Sequence, residues 1–250
     1  MRIASASLLV KKFRFMSAPN NHTPSSDVLR PVRVWDLPTR VFHALLIVSM
    51  AGLILTGEVG GAALQWHFYF GYSVLSLVLF RVLWGFVGGH WSRFASFVPS
   101  PASLKAYVRG LLSGHHSPSV GHNPMGALSV LAMLALLLIQ VFTGFISDDE
   151  IASSGPWTPL VSGNWIELAT EYHGDVGKVL LILLVVLHVA SILFYKRVKQ
   201  EDLVTPMIRG DKTLPEGTPQ STDSALSRLF AFVLWLGCVY VVYWCVNLAP

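Results

Sequence analysis

The chain has 250 residues, 53% apolar and only 13% charged, with a formal net charge of +4 and a mean hydropathy of +0.55. Such hydrophobicity excludes a disordered chain, and so few charges cannot cover the surface of a soluble globule, where about a quarter of residues are charged. The basic balance does not indicate nucleic acid, because no stacking aromatics interleave with the basic residues of the loops.

Residues 1–33 read as a cytoplasmic extension and are expected to be disordered. Ile3–Val10 is apolar, but Lys11, Lys12 and Arg14 follow it. A signal peptide has the opposite order, with charges first and a small-residue cleavage site last. Translation from Met16 is also compatible, and Asn20–Ser26 reads as a polar linker. Five mostly apolar stretches come next: Val41–Gly57, Phe68–Val87, Gly126–Ile146, Val179–Tyr195 and Leu229–Val246. Each is roughly the 17 to 21 residues that cross a ~30 Å hydrocarbon core. They predict an all-α integral membrane protein, a four-helix bundle over residues 34–212 with a fifth helix after it. Residues 213–250 hold that helix and its linker, since Gly210–Ser224 is rich in Pro, Gly and Thr. No gap between the stretches is long enough for a soluble catalytic domain. Cys238 and Cys245 are about 10 Å apart along the last helix, too far for an unstrained disulfide, and read as small apolar residues.

Charge sets the orientation. Lys and Arg gather before the first stretch, between the second and third, and between the fourth and fifth. The first-to-second and third-to-fourth connections have none, Lys178 alone breaking the pattern, and the latter carries Asp148, Asp149, Glu150, Glu167 and Glu171. The positive-inside rule then puts the N-terminus in the cytoplasm and the C-terminus outside. Trp35, Trp66, Trp84, Trp91, Trp157 and Trp165 fall near the interfaces and read as an aromatic belt.

Four histidines lie at or within the membrane helices, where ionisable groups are costly and usually functional. His43 enters the first helix on the inner side, and His67 enters the second on the outer side. His173 begins the fourth on the outer side. His188 lies fifteen residues on, about 22 Å toward the cytoplasm and about 60° around the helix. Inner depth is thus shared by His43 and His188, and outer depth by His67 and His173. Any one of them alone reads equally as an interfacial, hydrogen-bonded ring. Two pairs at two depths of a bundle suit bis-histidine ligation of two hemes b. A zinc site needs its ligands converging at one place. Gly71 and Gly177, each four residues after an outer histidine, are expected to make room for the macrocycle. Arg81 lies about 21 Å deeper than His67 and about 40° off its face, near the inner pair. Arg81 and Arg40 read either as partners for an inner heme propionate or as snorkelling side chains. Lys178, about 140° around from His173, is open to an outer propionate or to packing. His115, His116 and His122 read as a solvated inner loop, with a metal site the lesser alternative.

WDLPTRVFH at Trp35–His43, WHFYFGY at Trp66–Tyr72, FRVLWGFVG at Phe80–Gly88, RFASF at Arg93–Phe97, NPMGAL at Asn123–Leu128 and HVASILFYKRVKQEDLVTPMIRG at His188–Gly210 resemble the bacterial cytochrome b561 / nickel–iron hydrogenase b-type cytochrome family. The resemblance runs from about Val34 to Lys212. It implies a diheme cytochrome of the inner membrane, passing electrons between a redox partner and the quinone pool of a respiratory chain. It carries ligand roles onto His43, His67, His173 and His188. The family's two fourth-helix histidines stand about fourteen residues apart. Here they stand fifteen apart, and a single π-bulge restores the face.

The partners compatible with this reading are membrane lipid, quinone, and a periplasmic hydrogenase, c-type cytochrome or dehydrogenase. A heme-free membrane anchor or assembly subunit and a membrane-bound metal reductase stay open as alternatives. A transporter fits less well, because the chain has no internal repeat.

Overall fold

The computed structural model describes residues 28–113, 119–151 and 153–249. Most of the N-terminal extension, with His22, and the inner-loop residues His115 and His116 lie outside the described residues. Five helices are long and apolar enough to cross a membrane. They are α1 (Leu37–Val59), α2 (Leu64–Val87), α5 (Pro124–Phe145), a continuous helix over Gly163–Arg197, and α9 (Ala225–Val246). The short helices α3 (Phe94–Phe97), α4 (Pro101–Leu112) and α8 (Val204–Arg209) lie in the connections.

The helix starts follow local chemistry. Asp36, Ser100, Asn123 and Ser224 each accept a hydrogen bond from the backbone N–H three residues on, capping α1, α4, α5 and α9. Proline at the first or second position follows three of these caps, where its missing N–H costs nothing.

The fourth span is longer than its apolar core suggests. It comprises α6 (Gly163–Glu171), a π-helical turn over Tyr172–Gly177, and α7 (Lys178–Arg197). Glu167, Glu171 and Asp175 make its first half amphipathic, so an apolar window starts only at Val179. His173 therefore sits inside this helix rather than at its beginning.

α2 is the central helix and packs against α1, α5 and α9, while α7 packs against α5. The core joins Val74, Val78 and Trp84 of α2 to Leu137 and Val141 of α5 and to Cys238 of α9. The two cysteines are free. Many large apolar side chains on α7 and α9 point away from the bundle, as lipid allows.

The connections at the His43/His188 end of the bundle are more ordered than their composition implies. Strand β1 (Leu29–Arg33) pairs antiparallel with β2 (Asp211–Pro215), from Leu29↔Pro215 to Arg33↔Asp211. The last residues of the extension and the start of the linker thus form a ribbon, not loose chain. Arg33 pairs with Asp211 at 3.0 Å and with Asp223 at 3.6 Å, and Arg228 pairs with Asp223 at 2.9 Å. These ion pairs hold the ribbon to the start of α9. The Tyr107 hydroxyl, on α4, hydrogen-bonds the Tyr195 hydroxyl at the end of α7.

The tryptophans are only partly a belt. Trp66 and Trp165 are exposed, whereas Trp35 and Trp84 are buried. Trp91 Nε1 donates to the Pro219 carbonyl, and Trp157 Nε1 to that of Cys245. Trp84 Nε1 donates to Asp36, whose carboxylate is fully buried and also accepts from Thr39 N, Gly89 N and Ser92 Oγ. This carboxylate ties the start of α1 to the end of α2. Asp36→Ala would strand these donors, at about 1–3 kcal/mol for a buried group left without its partner. Thermal unfolding in detergent should show Asp36→Ala losing about 3 kcal/mol or more. Asp36→Asn, which keeps one capping oxygen, should lose less.

Candidate functional site

The bundle brings the four membrane histidines together as two pairs. His67, in the first turn of α2, faces His173 in the π-helical turn, with ring centres 6.1 Å apart. His43, in the second turn of α1, faces His188 of α7, with ring centres 6.4 Å apart. Metal–imidazole bonds run about 2 Å, and a ring centre lies roughly 1 Å beyond its nitrogen, so one ion between two imidazoles sets the centres roughly 6 Å apart. Both pairs have that spacing. The π turn adds one residue between His173 and His188, which compensates their fifteen-residue separation.

The outer pair is fixed by backbone. His67 Nδ1–H donates to the Leu53 carbonyl at 3.0 Å, and His173 Nδ1–H to the Gln140 carbonyl at 2.8 Å. A carbonyl only accepts, so both protons sit on Nδ1 and each Nε2 is left with a bare lone pair. Metal-ligating histidines are held in this way, by an outer partner that fixes tautomer and ring orientation. Gln140 acts twice, since its Nε2 also donates to the His173 carbonyl at 2.8 Å. The third spanning helix, which carries no histidine, therefore orients one.

Between α1, α2, α5 and the fourth span lies a cavity of about 390 Å³, its lining mostly apolar, with Glu58, Asp148, Asp149 and Lys178 among its polar residues. Both outer histidines, Leu53, Tyr72, Val141 and Leu181 line it. Gly71 lines it as expected, and a Cβ there would meet nothing closer than 4.0 Å. Gly177 does not line it. A Cβ there would collide with Gln140 and Tyr172, so this glycine serves the close approach of the fourth span to α5. Gly57 and Gly144 sit against the histidines instead. A Cβ on Gly144 would lie 2.8 Å from His173 Cε1, and one on Gly57 would lie 3.1 Å from His67 Nδ1. An apolar cavity between two facing imidazoles, with glycines beside them, fits a flat macrocycle with a central metal. Lys178 pairs with Glu58 at 3.2 Å at the cavity's outer edge.

At the inner end Arg81 is 3% exposed, so it does not snorkel to water. Arg40 Nη2 donates to the Ile208 carbonyl, which engages one edge of its guanidinium with the end of α8. His122 is not solvated loop. Its ring packs 4.7 Å from Trp35 and 4.6 Å from Phe97, and its Nδ1 is buried. Burial first, and the Arg81 charge next, push this imidazole down to about 3, so it is neutral at physiological pH. Gln140 is the residue beside the histidines that sequence reasoning missed, and His122 the one that it read as solvated loop. The available signal for Gln140 was its being the only side-chain amide in α5.

A membrane helical bundle that stacks two imidazole pairs at two depths has the architecture of a b-type cytochrome. The chain belongs to the prokaryotic cytochrome b561 family, whose model matches residues 34–210. It is accordingly a heme b protein of electron transport and a multi-pass membrane protein. The family match ends before β2 and α9. Relatives are described as probable Ni/Fe-hydrogenase B-type cytochrome subunits. That of Azotobacter chroococcum is 26% identical over 223 residues, covering 75% of this chain and 91% of the relative. That of Escherichia coli K12 is 24% identical over 212 residues, covering 71% and 88%. That of Rhizobium leguminosarum is 24% identical over 228 residues, covering 78% and 94%. No solved structure gives a significant match.

Gly144→Ala should displace the His173 ring and lower the heme b bound per chain, read by pyridine hemochrome. Gly237→Ala, on α9 and away from the cavity, has a Cβ that meets nothing within 4 Å and should leave the yield unchanged.

Proposed function

We propose that this chain is the diheme membrane subunit of a respiratory hydrogenase, passing electrons from a periplasmic partner to the quinone pool. In this reading His43 and His188 are axial ligands of an inner heme b, and His67 and His173 of an outer one. The observation that carries it is the pair of ring separations, 6.1 and 6.4 Å, at two depths of one bundle. Arg81 and Arg40 serve the polar edge of the inner heme. The protein lies in the bacterial inner membrane, with its N-terminus cytoplasmic and its C-terminus periplasmic. The hydrogenase partner is suggested by the relatives' descriptions.

Each bound heme supplies a one-electron iron couple. The protein's part is to hold both axial nitrogens in place in either oxidation state, so that little rearranges when charge moves. The Leu53 and Gln140 carbonyls do this for the outer pair by fixing both rings through Nδ1.

The hemochrome assay should give two hemes b per chain, and a ratio near one would mean that one pair is misassigned. No visible absorption would favour an anchor or assembly role. His43→Ala and His188→Ala should remove the same midpoint potential from a redox titration, and His67→Ala and His173→Ala the other. Loss of one potential from both His43→Ala and His173→Ala would refute the pairing. For the orientation, reporter fusions at Pro156 and Pro219 should report opposite sides of the membrane, the first periplasmic.

A further inference from the structure

Among the described residues Arg81 is a buried cation without a counter-ion. Its guanidinium lies over the rings of Phe94 and Phe97, 5.2 and 5.9 Å from their centres, and its Nη1 has no hydrogen-bond partner. The carboxylate whose charge it feels is Asp36. Asp36 is already occupied by the backbone N–H groups of Thr39 and Gly89, the Trp84 indole and the Ser92 hydroxyl. Among the described residues no carboxylate comes within ion-pair distance of Arg81. A guanidinium taken out of water and left unpaired is strongly unfavourable, so the site calls for an anion.

His122 supplies the second group. It shares Phe97 with Arg81, and its electrostatic neighbours are Arg81, His188 and His43. Its Nδ1, like Arg81 Nη1, is buried and has no partner among the described residues. Two unpartnered nitrogens therefore stand beside the inner histidine pair. A free inorganic anion would have to shed all its water to reach them. A carboxylate attached to an apolar macrocycle arrives with the group whose burial offsets that cost.

We propose that Arg81 Nη1 and His122 Nδ1 together form a carboxylate-binding site at the inner end of the bundle, and that its occupant is a propionate of the heme between His43 and His188. The proposal rests on that heme being present. A carboxylate only accepts, so Nδ1 carries the proton in the bound state. His122 is then a positioning residue for the cofactor, linking the loop before α5 to a heme whose axial ligands come from α1 and α7. Both donors offset the propionate charge, which otherwise favours the ferric state.

The test uses the full chain, heme-loaded and in detergent. His122→Phe keeps an aromatic ring between Trp35 and Phe97 but removes the donor. It should lower the midpoint potential of the inner heme and shift the carboxylate bands in redox difference infrared spectra. The outer potential should not move, and both irons should stay low-spin because their axial imidazoles are intact. Arg81→Leu should lower the inner potential further. His122→Asn, which keeps an N–H donor near the Nδ1 position, should restore most of the shift. Should His122→Phe fail to assemble, His122→Leu removes the same donor and reads the same potential. A two-heme variant with unchanged inner potential and unchanged carboxylate bands would overturn the proposal and leave the ligand pairing standing. A wild-type chain with no inner heme would overturn both.

Discussion

An imidazole at membrane depth has no water for its second nitrogen, and much of this structure answers that constraint. The outer pair is the clearest case. His67 and His173 each give their Nδ1 proton to a backbone carbonyl of a neighbouring helix, Leu53 on α1 and Gln140 on α5. That satisfies the polar side of the ring and leaves the other nitrogen aimed across the bundle. The helices must be spaced to let this happen. α7 packs on α5, and the cavity separates it from α1 and α2. Small residues then appear where a ring must lie against a helix, at Gly57 and Gly144. The π turn belongs to the same set of constraints. It places His173 against Gln140 while keeping His188, fifteen residues on, beside His43.

Much of this was legible in the sequence, for identifiable reasons. Spanning helices announce themselves because lipid admits only long apolar runs. The histidine depths followed by counting residues from the helix ends. The fifteen-residue spacing pointed to a π-bulge only through the resemblance, which implies a spacing of about fourteen. Features that depend on packing were not legible. Gln140 belongs to no motif, and its task is set by which helix lies opposite. Neither Gly177 nor Gly144 shows in its flanking residues what it faces, and only the packing shows that one faces α5 and the other faces a histidine. The ribbon β1–β2 joins segments almost 180 residues apart, and a strand of five residues leaves little periodicity to read. Trp84 looked like an interfacial tryptophan because it lies near a helix end. Its indole instead points inward to a carboxylate.

The inner end obeys a second electrostatic rule. Asp36 and Arg81 have opposite charges and are both buried, yet they are not a salt bridge. Asp36 is satisfied by neutral donors and acts as a cap and a joint between α1 and α2. That division leaves the guanidinium of Arg81 free for something else. Had the two paired directly, the charge would have been neutralised inside the protein and the inner site would have lost its cation. Phe94 and Phe97 cover this buried cation, and the low local dielectric strengthens whatever the cation binds.

The fifth helix can be understood from the same demand for fixed geometry. α9 covers a face of α2, with Cys238 and Val242 in the shared core and Phe230 6.2 Å from the Trp84 ring. Its inner end is held through Arg228, Asp223 and Arg33, and its outer end by the bond from Trp157 to the Cys245 carbonyl. It contributes no histidine. What it adds is support for α2, the helix that carries both His67 and Arg81 and so serves both ends of the site. A helix packed on three sides cannot rotate or slide without disturbing its neighbours. An electron carrier gains from that, because axial nitrogens that stay in place keep the reorganisation accompanying each transfer small.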